Sequence, residues 1–259
     1  MRSERGMTTR AGLLLVLATV AMTAGCQKPA GSTPLDTFLA AAQKLPPPQR
    51  EVMLRDKLRA GGRDWVFAQY ALGNIYYDAA SDSTKAGGAG GAAAMLDSAR
   101  VHFEQAARDT EFVEAQVNLG SVYDDLADQP GGPSERAARL ANAEAAYKRA
   151  LARRPGDEKA RCNLGALHVK KREYPEAIAQ FRLALAANPH SALAHYNLAI
   201  LFADAKIYRE AKVEWEAAAK ADPKGDIGRR SRSNVKIVEQ MMSAQVPANL
   251  DQKAPPAKP

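Results

Sequence analysis

Residues 158–191 and 192–225 align with each other without a gap at a spacing of 34, a period that marks stacked helical units. The match pairs Asn163 with Asn197, Leu164 with Leu198, Gly165 with Ala199, and His168 with Phe202. It continues through Tyr174 and Tyr208, Ala177 and Ala211, Phe181 and Trp215, Ala184 and Ala218, and Pro189 and Pro223. Small residues on both helices of a unit let the helices approach closely, and the aromatic residue fills the volume that remains. Asn188-Pro189 and Asp222-Pro223 end the second helix, because a proline ring lacks the backbone donor and clashes with the preceding turn. Each unit exposes an apolar face that only a stacked neighbour buries.

Two earlier copies carry the same marks with insertions between their helices. One begins near Val113 with Asn118, Leu119, Gly120 and Tyr123, and resumes with Ala143, Tyr147, Ala150 and Pro155 after a Gly/Pro-rich loop in 128–139. The other begins near Val66 with Leu72, Gly73 and Tyr76, and resumes with Ala99, Phe103 and Ala106. Its insertion is the low-complexity stretch 81–93, whose glycine cluster 87–91 reads as a flexible loop. This period and these residue types resemble the tetratricopeptide repeat. The resemblance implies an all-α, right-handed α-solenoid of about four helix–turn–helix repeats over 62–225, divided near 66–112, 113–157, 158–191 and 192–225.

The flanks complete that architecture. Thr33-Pro34-Leu35-Asp36 reads as a helix start, with an N-cap, a first-turn proline and an acid near the positive end. A helix over 35–45, the breaker Pro46-Pro47-Pro48 and a helix from about Gln49 to Ala60 give a leading helical hairpin over 35–61. At the other end, 226–245 is the expected capping segment, its helix running from about Ser233 to Ala244 with Val235, Val238, Met241 and Met242 toward one side. Residues 246–259, rich in Pro, Ala and Lys without periodicity, read as a disordered tail.

Residues 1–25 read as an export signal: Arg2, Arg5 and Arg10 precede the apolar run from Ala11 to Met22, which is too short to span a membrane. Met22-Thr23-Ala24-Gly25-Cys26 resembles the bacterial lipobox, with Thr23 where that family usually carries a large aliphatic residue. The resemblance implies lipidation at Cys26, with palmitate among the attached chains, and a polar tether over 26–34. Gln27 after the cysteine implies sorting to the outer membrane, facing the periplasm. Only Cys26 and Cys162 are present, so no disulfide framework is available.

The net charge of +7 suggests a polyanion binder until it is located. The signal carries +2, and the stretch from Lys224 onward, with seven Lys or Arg against Asp226, Glu239 and Asp251, carries +4. The repeat body is close to neutral, which argues against a nucleic-acid partner.

No residue set makes a convincing catalytic or metal centre. His190 and His195 straddle a turn without further ligands at metal spacing. His168 stands where other repeats carry Tyr or Phe, and His102 stands alone beside Phe103. Cys162 has Lys159 one turn away but reads as a small groove residue, and Asp124 and Asp125 read as a solvated helix end. The expectation is a non-enzymatic protein with no cofactor and no small-molecule substrate.

In the family resembled, first helices line a concave face that recognises an extended peptide or a helix. By position, that groove presents Phe67, Tyr70, Asn74 and Tyr77, then Asn118, then Lys159 and Asn163, then Tyr196, Asn197 and Ile200. Tyrosine rings would anchor a peptide and asparagines would hold its backbone. Asn74, Asn118 and Lys159 coincide with three positions of a carboxylate clamp, but Tyr70 and Asn163 replace two of its cations. The implied role is an interaction scaffold of the bacterial cell envelope, with other proteins as partners and the membrane reached through the lipid. The alternative is a tether that meets anionic polymer or lipid through its basic C-terminal region.

Overall fold

The computed structural model describes residues 33–85 and 89–245, which form eleven α-helices and no strand among the described residues. The export signal, Cys26, nearly all of the tether and the 246–259 tail lie outside them. Consecutive helices pack as hairpins: α1 (Pro34–Gln43) with α2 (Pro47–Ala60), then α3 (Arg63–Lys85) with α4 (Ala89–Ala106), and α5 (Val113–Ala127) with α6 (Pro133–Arg153). They are followed by α7 (Glu158–Lys170) with α8 (Tyr174–Ala187), and α9 (Ala192–Asp204) with α10 (Tyr208–Ala221). The last helix, α11 (Asp226–Gln245), packs on both α10 and α9. The whole is an all-α solenoid.

Glycine sets the closeness of the hairpins. A Cβ at Gly73 would stand 2.6 Å from the Phe103 ring and one at Gly165 would stand 2.5 Å from Phe181, while one at Gly120 would press into Tyr147. All three rings are fully buried. The fourth hairpin uses Ala199 and Trp215 in the same cluster. Burial leaves the Trp215 Nε1–H without a partner among the described residues.

The tight turns repeat as well. Asp157 and Ser191, one period apart, cap α7 and α9 by accepting from Ala160 N (2.9 Å) and Ala194 N (3.1 Å). Helices α7 and α9 both end in a left-handed residue, Arg172 (φ 63) and Lys206 (φ 62). Around each, paired hydrogen bonds close the last turn: Glu173 N to His168 O and Arg172 N to Val169 O, then Ile207 N to Phe202 O and Lys206 N to Ala203 O. Glycine favours that backbone and a long side chain does not. Replacing Arg172 or Lys206 with glycine is therefore expected to raise stability by about 0.5–1 kcal/mol each, read as a higher urea midpoint with an unchanged slope.

Several local expectations need correcting. Most of the 81–93 insertion is helical, since α3 runs to Lys85 and α4 starts at Ala89; residues 86–88 lie outside the described residues. A polar turn, 81–85, extends α3 and an alanine- and glycine-rich turn begins α4, and Ala80, Ala92 and Leu96 are buried between them. In the next hairpin only residues 128–132 stay non-helical, since Pro133 starts α6 early. Helix α2 starts at Pro47, where a first-turn proline loses no hydrogen bond.

Helix α11 begins at Asp226, not Ser233, so its arginines lie within the helix. Asp222 initiates it by accepting from Gly225 N (2.9 Å) and Gly228 N (3.1 Å). On α11 Val238 is buried and Val235 and Met242 are half-buried, but Met241 is exposed. Helices α7, α9 and α11 start at 158, 192 and 226, so α11 keeps the period. Where α9 has Leu198, Ala199 and Phe202, it carries Arg232, Ser233 and Lys236, all exposed. Charged side chains at those positions resist burial under another helix, which ends the stack.

Candidate partner-binding groove

The face formed by the first helices α3, α5, α7 and α9, with α11 beyond them, divides the expected groove residues into two sets. Phe67, Asn74, Asn163 and Ile200 are half-buried and Lys159 is exposed. Tyr70, Tyr77, Asn118, Tyr196 and Asn197 are buried, which corrects their expected role as ligand-facing anchors. Tyr70 packs against Phe103 and Phe112 with ring centroids 5.8 and 4.9 Å apart. The Arg230 guanidinium sits 5.4 Å from the centre of the Tyr196 ring. These tyrosines hold the stack together.

The buried asparagine has its bonds satisfied within the protein. Asn118, 1% exposed, donates through Nδ2 to the Tyr70 hydroxyl (3.0 Å) and to Asn74 Oδ1 (3.0 Å). Its Oδ1 accepts from Lys159 Nζ at 3.2 Å. The three residues at clamp positions are thus brought together, and they bond one another across three repeats. One step further, Asn163 Nδ2 donates to Ser121 Oγ at 3.1 Å. A side-chain ladder of this kind fixes the angle between neighbouring first helices.

A second cluster at the other end of these helices corrects the reading of a solvated helix end. Asp124 is buried, and Lys170 Nζ donates to its Oδ1 and to Asp128 Oδ2, both at 2.8 Å. The Tyr77 hydroxyl donates to Asp125 Oδ2 at 2.6 Å. Burial pushes the Asp125 carboxyl up to about 6; the Tyr77 hydrogen bond opposes the shift and neighbouring Asp124 adds to it. Burial also raises Asp124, against the pull of Lys170. No sequence pattern linked Lys170 to Asp124, which lies 46 residues earlier.

The remaining reactive residue types are structural. Cys162 is fully buried, and burial, with Glu158 adding, pushes its thiol well above the ordinary range. In a Cys26→Ser chain at pH 7.5, the Cys162 thiol is expected to resist a disulfide-exchange reagent until denaturant is added; rapid labelling of the folded chain would contradict this burial. His102 does not stand alone: Nδ1 lies 2.6 Å from Gln69 Oε1 and the ring stacks on Tyr76. His168 bonds Glu173, and His195 bonds Glu214, each at 2.6 Å. No group of three or more His, Cys, Asp or Glu among the described residues is arranged to hold a metal ion. No described helix is long and apolar enough to cross a membrane.

Comparison with known proteins agrees with this architecture. The family described as tetratricopeptide repeat matches residues 135–192 and 162–226. No curated protein matches the chain. Among solved structures, the chain is similar to TTC0263, a thermophilic TPR protein of Thermus thermophilus, at 18% identity and a TM-score of 0.59, covering 80% of this chain and 99% of that one. It is also similar to MamA, at 18% identity, 75% and 97% coverage and a TM-score of 0.46. A further likeness is to the TPR2AB domain of yeast Sti1, solved as a pHSP90 complex, at 18% identity, 81% and 84% coverage and a TM-score of 0.36. At this identity the first of these speaks for the fold alone. Residues 135–226 thus match the tetratricopeptide-repeat family by sequence, and the described helices share the solenoid fold of such a protein.

Proposed function

We propose that this protein is an interaction scaffold of the bacterial cell envelope that holds a partner's peptide or helix against its first-helix face. The observation that carries the reading is the polar ladder from Tyr70 through Asn74, Asn118 and Lys159. It pre-forms a surface across three repeats, so little ordering remains for binding to do. Phe67, Asn163 and Ile200, the exposed Lys159 and the part-exposed edge of Asn74 are the side chains open to a ligand. The envelope part of the reading rests on the export signal and Cys26, and a Cys26→Ala chain is expected to lose radiolabelled palmitate and membrane fractionation together.

A photo-crosslinking amino acid placed in cells at Lys159 or Asn163 tests the groove. Discrete adducts of defined mass are expected from those sites and not from Leu183, which is exposed on a second helix. Equal or absent adducts at all sites would defeat the reading.

A second reading is favoured by the exposed Arg229, Arg232 and Lys236 on α11, which suit contact with an anionic polymer or lipid surface. Charge reversal at Arg232 and Lys236 that releases the protein from envelope fractions, with groove adducts unchanged, would favour it.

A further inference from the structure

The ligand-facing surface does not stop at the fourth repeat. Helix α11 carries Arg230, Asn234, Ile237 and Met241 at i, i+4, i+7 and i+11, which places them along one stripe. Arg230 lies over Tyr196, its counterpart one period earlier, so this stripe borders the groove side of α9. Ile237 is 46% exposed and Met241 is 39% exposed. The adjoining face of the same helix buries Val238 in the cluster of Tyr196, Ala199 and Trp215. Two large apolar side chains are thus left open one turn apart beside the groove.

On the α7 side of α9, an open cavity of about 260 Å³ is lined by Val169, Tyr174, Ile200 and Leu201, with Lys170, Arg172 and Asp204. That is below the roughly 300 Å³ at which small-molecule pockets begin, and it suits one large side chain. The C-terminal half of α9 therefore lies between an apolar cavity and an apolar stripe. The charges around it are mostly positive. Arg172, Lys206 and Arg230 stand against Asp204, and Lys170 is already held by Asp124 and Asp128. Asp226 is 3.8 Å from Arg230, at the limit of an ion pair.

From this we infer that the C-terminal end of the groove docks an acidic amphipathic segment of another protein. One large apolar residue enters the cavity beside Ile200, a second packs on Ile237 and Met241, and flanking carboxylates face Arg172 and Arg230. Charge complementarity selects an acidic segment over a basic one, since a basic segment would set like charges together. The inference rests on the groove reading above and narrows it to one end and one chemistry.

The test uses the full chain and a display library of random peptides. Selected peptides are expected to be rich in Asp and Glu, with two large apolar residues about one helical turn apart. Their binding, followed by fluorescence anisotropy, should weaken at least tenfold, about 1.4 kcal/mol, in Ile237→Glu and in Ile200→Glu. It should stay unchanged in Val213→Glu, which alters an exposed residue on α10. Circular dichroism melting of each variant confirms that the fold survives.

Selection of basic peptides, or binding indifferent to both isoleucine changes, would overturn the inference. So would sedimentation showing that the chain dimerises through this end and that Ile237→Glu abolishes the dimer. If selected peptides depend on Lys159 and not on Ile237, this inference fails while the groove reading stands. If crosslinks at Lys159 are absent in cells but acidic peptides bind as described, the Lys159 part of the groove reading fails while its C-terminal end stands.

Discussion

Replacing Lys170 with methionine is expected to destabilise the solenoid by about 3–5 kcal/mol at pH 7. The Lys170 and Asp124 side chains are 8% and 9% exposed, and the ammonium joins α7 to α5. Although burial acts against its charge, Asp124 and Asp128 hold Lys170 above its ordinary value. Methionine fills a similar volume and leaves Asp124 ionised and unpaired, or protonated at a cost that grows with pH. A Lys170→Met, Asp124→Asn double variant should recover about 1–3 kcal/mol of the loss, because the two residues are directly coupled.

The effect carries a pH signature. Asp125, pushed up to about 6, holds a proton that the unfolded chain releases from about 4 upward, so stability falls as the pH rises through that window. Removing the Lys170 cation raises Asp125 and Asp124 further, since it lowers both. The penalty of Lys170→Met should therefore be smaller at pH 4 than at pH 7 in urea titrations. Equal penalties at the two pH values, or one below about 1 kcal/mol, would refute the pairing as the cause.

A second large effect is expected at the centre of the stack. Tyr147→Ala should cost about 3–5 kcal/mol and lower the melting temperature by roughly 8–15 °C. The ring is fully buried against Gly120 within the cluster of Val113, Val117, Ala143 and Leu164. Alanine would leave a cavity that the close α5–α6 crossing cannot collapse to fill. Repeats stabilise one another through nearest-neighbour interfaces, so loss of this interface should split the calorimetric transition into two. Tyr147→Phe is the control. Its hydroxyl reaches Ser121 at only 3.4 Å, so that change should cost less than about 1 kcal/mol. A single, barely shifted transition in Tyr147→Ala would show that the repeats are coupled by other contacts.

The 34-residue period was legible in the chain because each unit needs the same contacts, with a small residue facing an aromatic one and a proline after the second helix. Gly165 with Phe181 and Ala199 with Trp215 show those requirements directly. The Thr33 N-cap was legible for the same reason: a capping box involves residues three apart, and both of its bonds to Asp36 form. Local composition misled at 81–93, where alanine and glycine suggested a loop. Burial of Ala92 and Leu96 against α3 instead makes the second half of the segment, from Ala89 onward, helical.

The groove shows the division most sharply. Helical spacing placed Tyr70, Asn118, Lys159 and Ile200 on one face, and that much follows from 3.6 residues per turn. Whether each side chain then meets solvent or a neighbouring helix depends on how closely successive repeats stack. Tyr70 bonds a residue 48 positions away, Lys159 one 41 away and Lys170 one 46 away. The sequence alone determined the repeated helical pairs and the residues that share their faces. Only the tertiary structure decided that the tyrosines are buried, that Lys170 neutralises Asp124, and that Ile237 and Met241 of the capping helix extend the open surface. Those outcomes depend on distances between helices, which the stacking of whole repeats sets and no local pattern encodes.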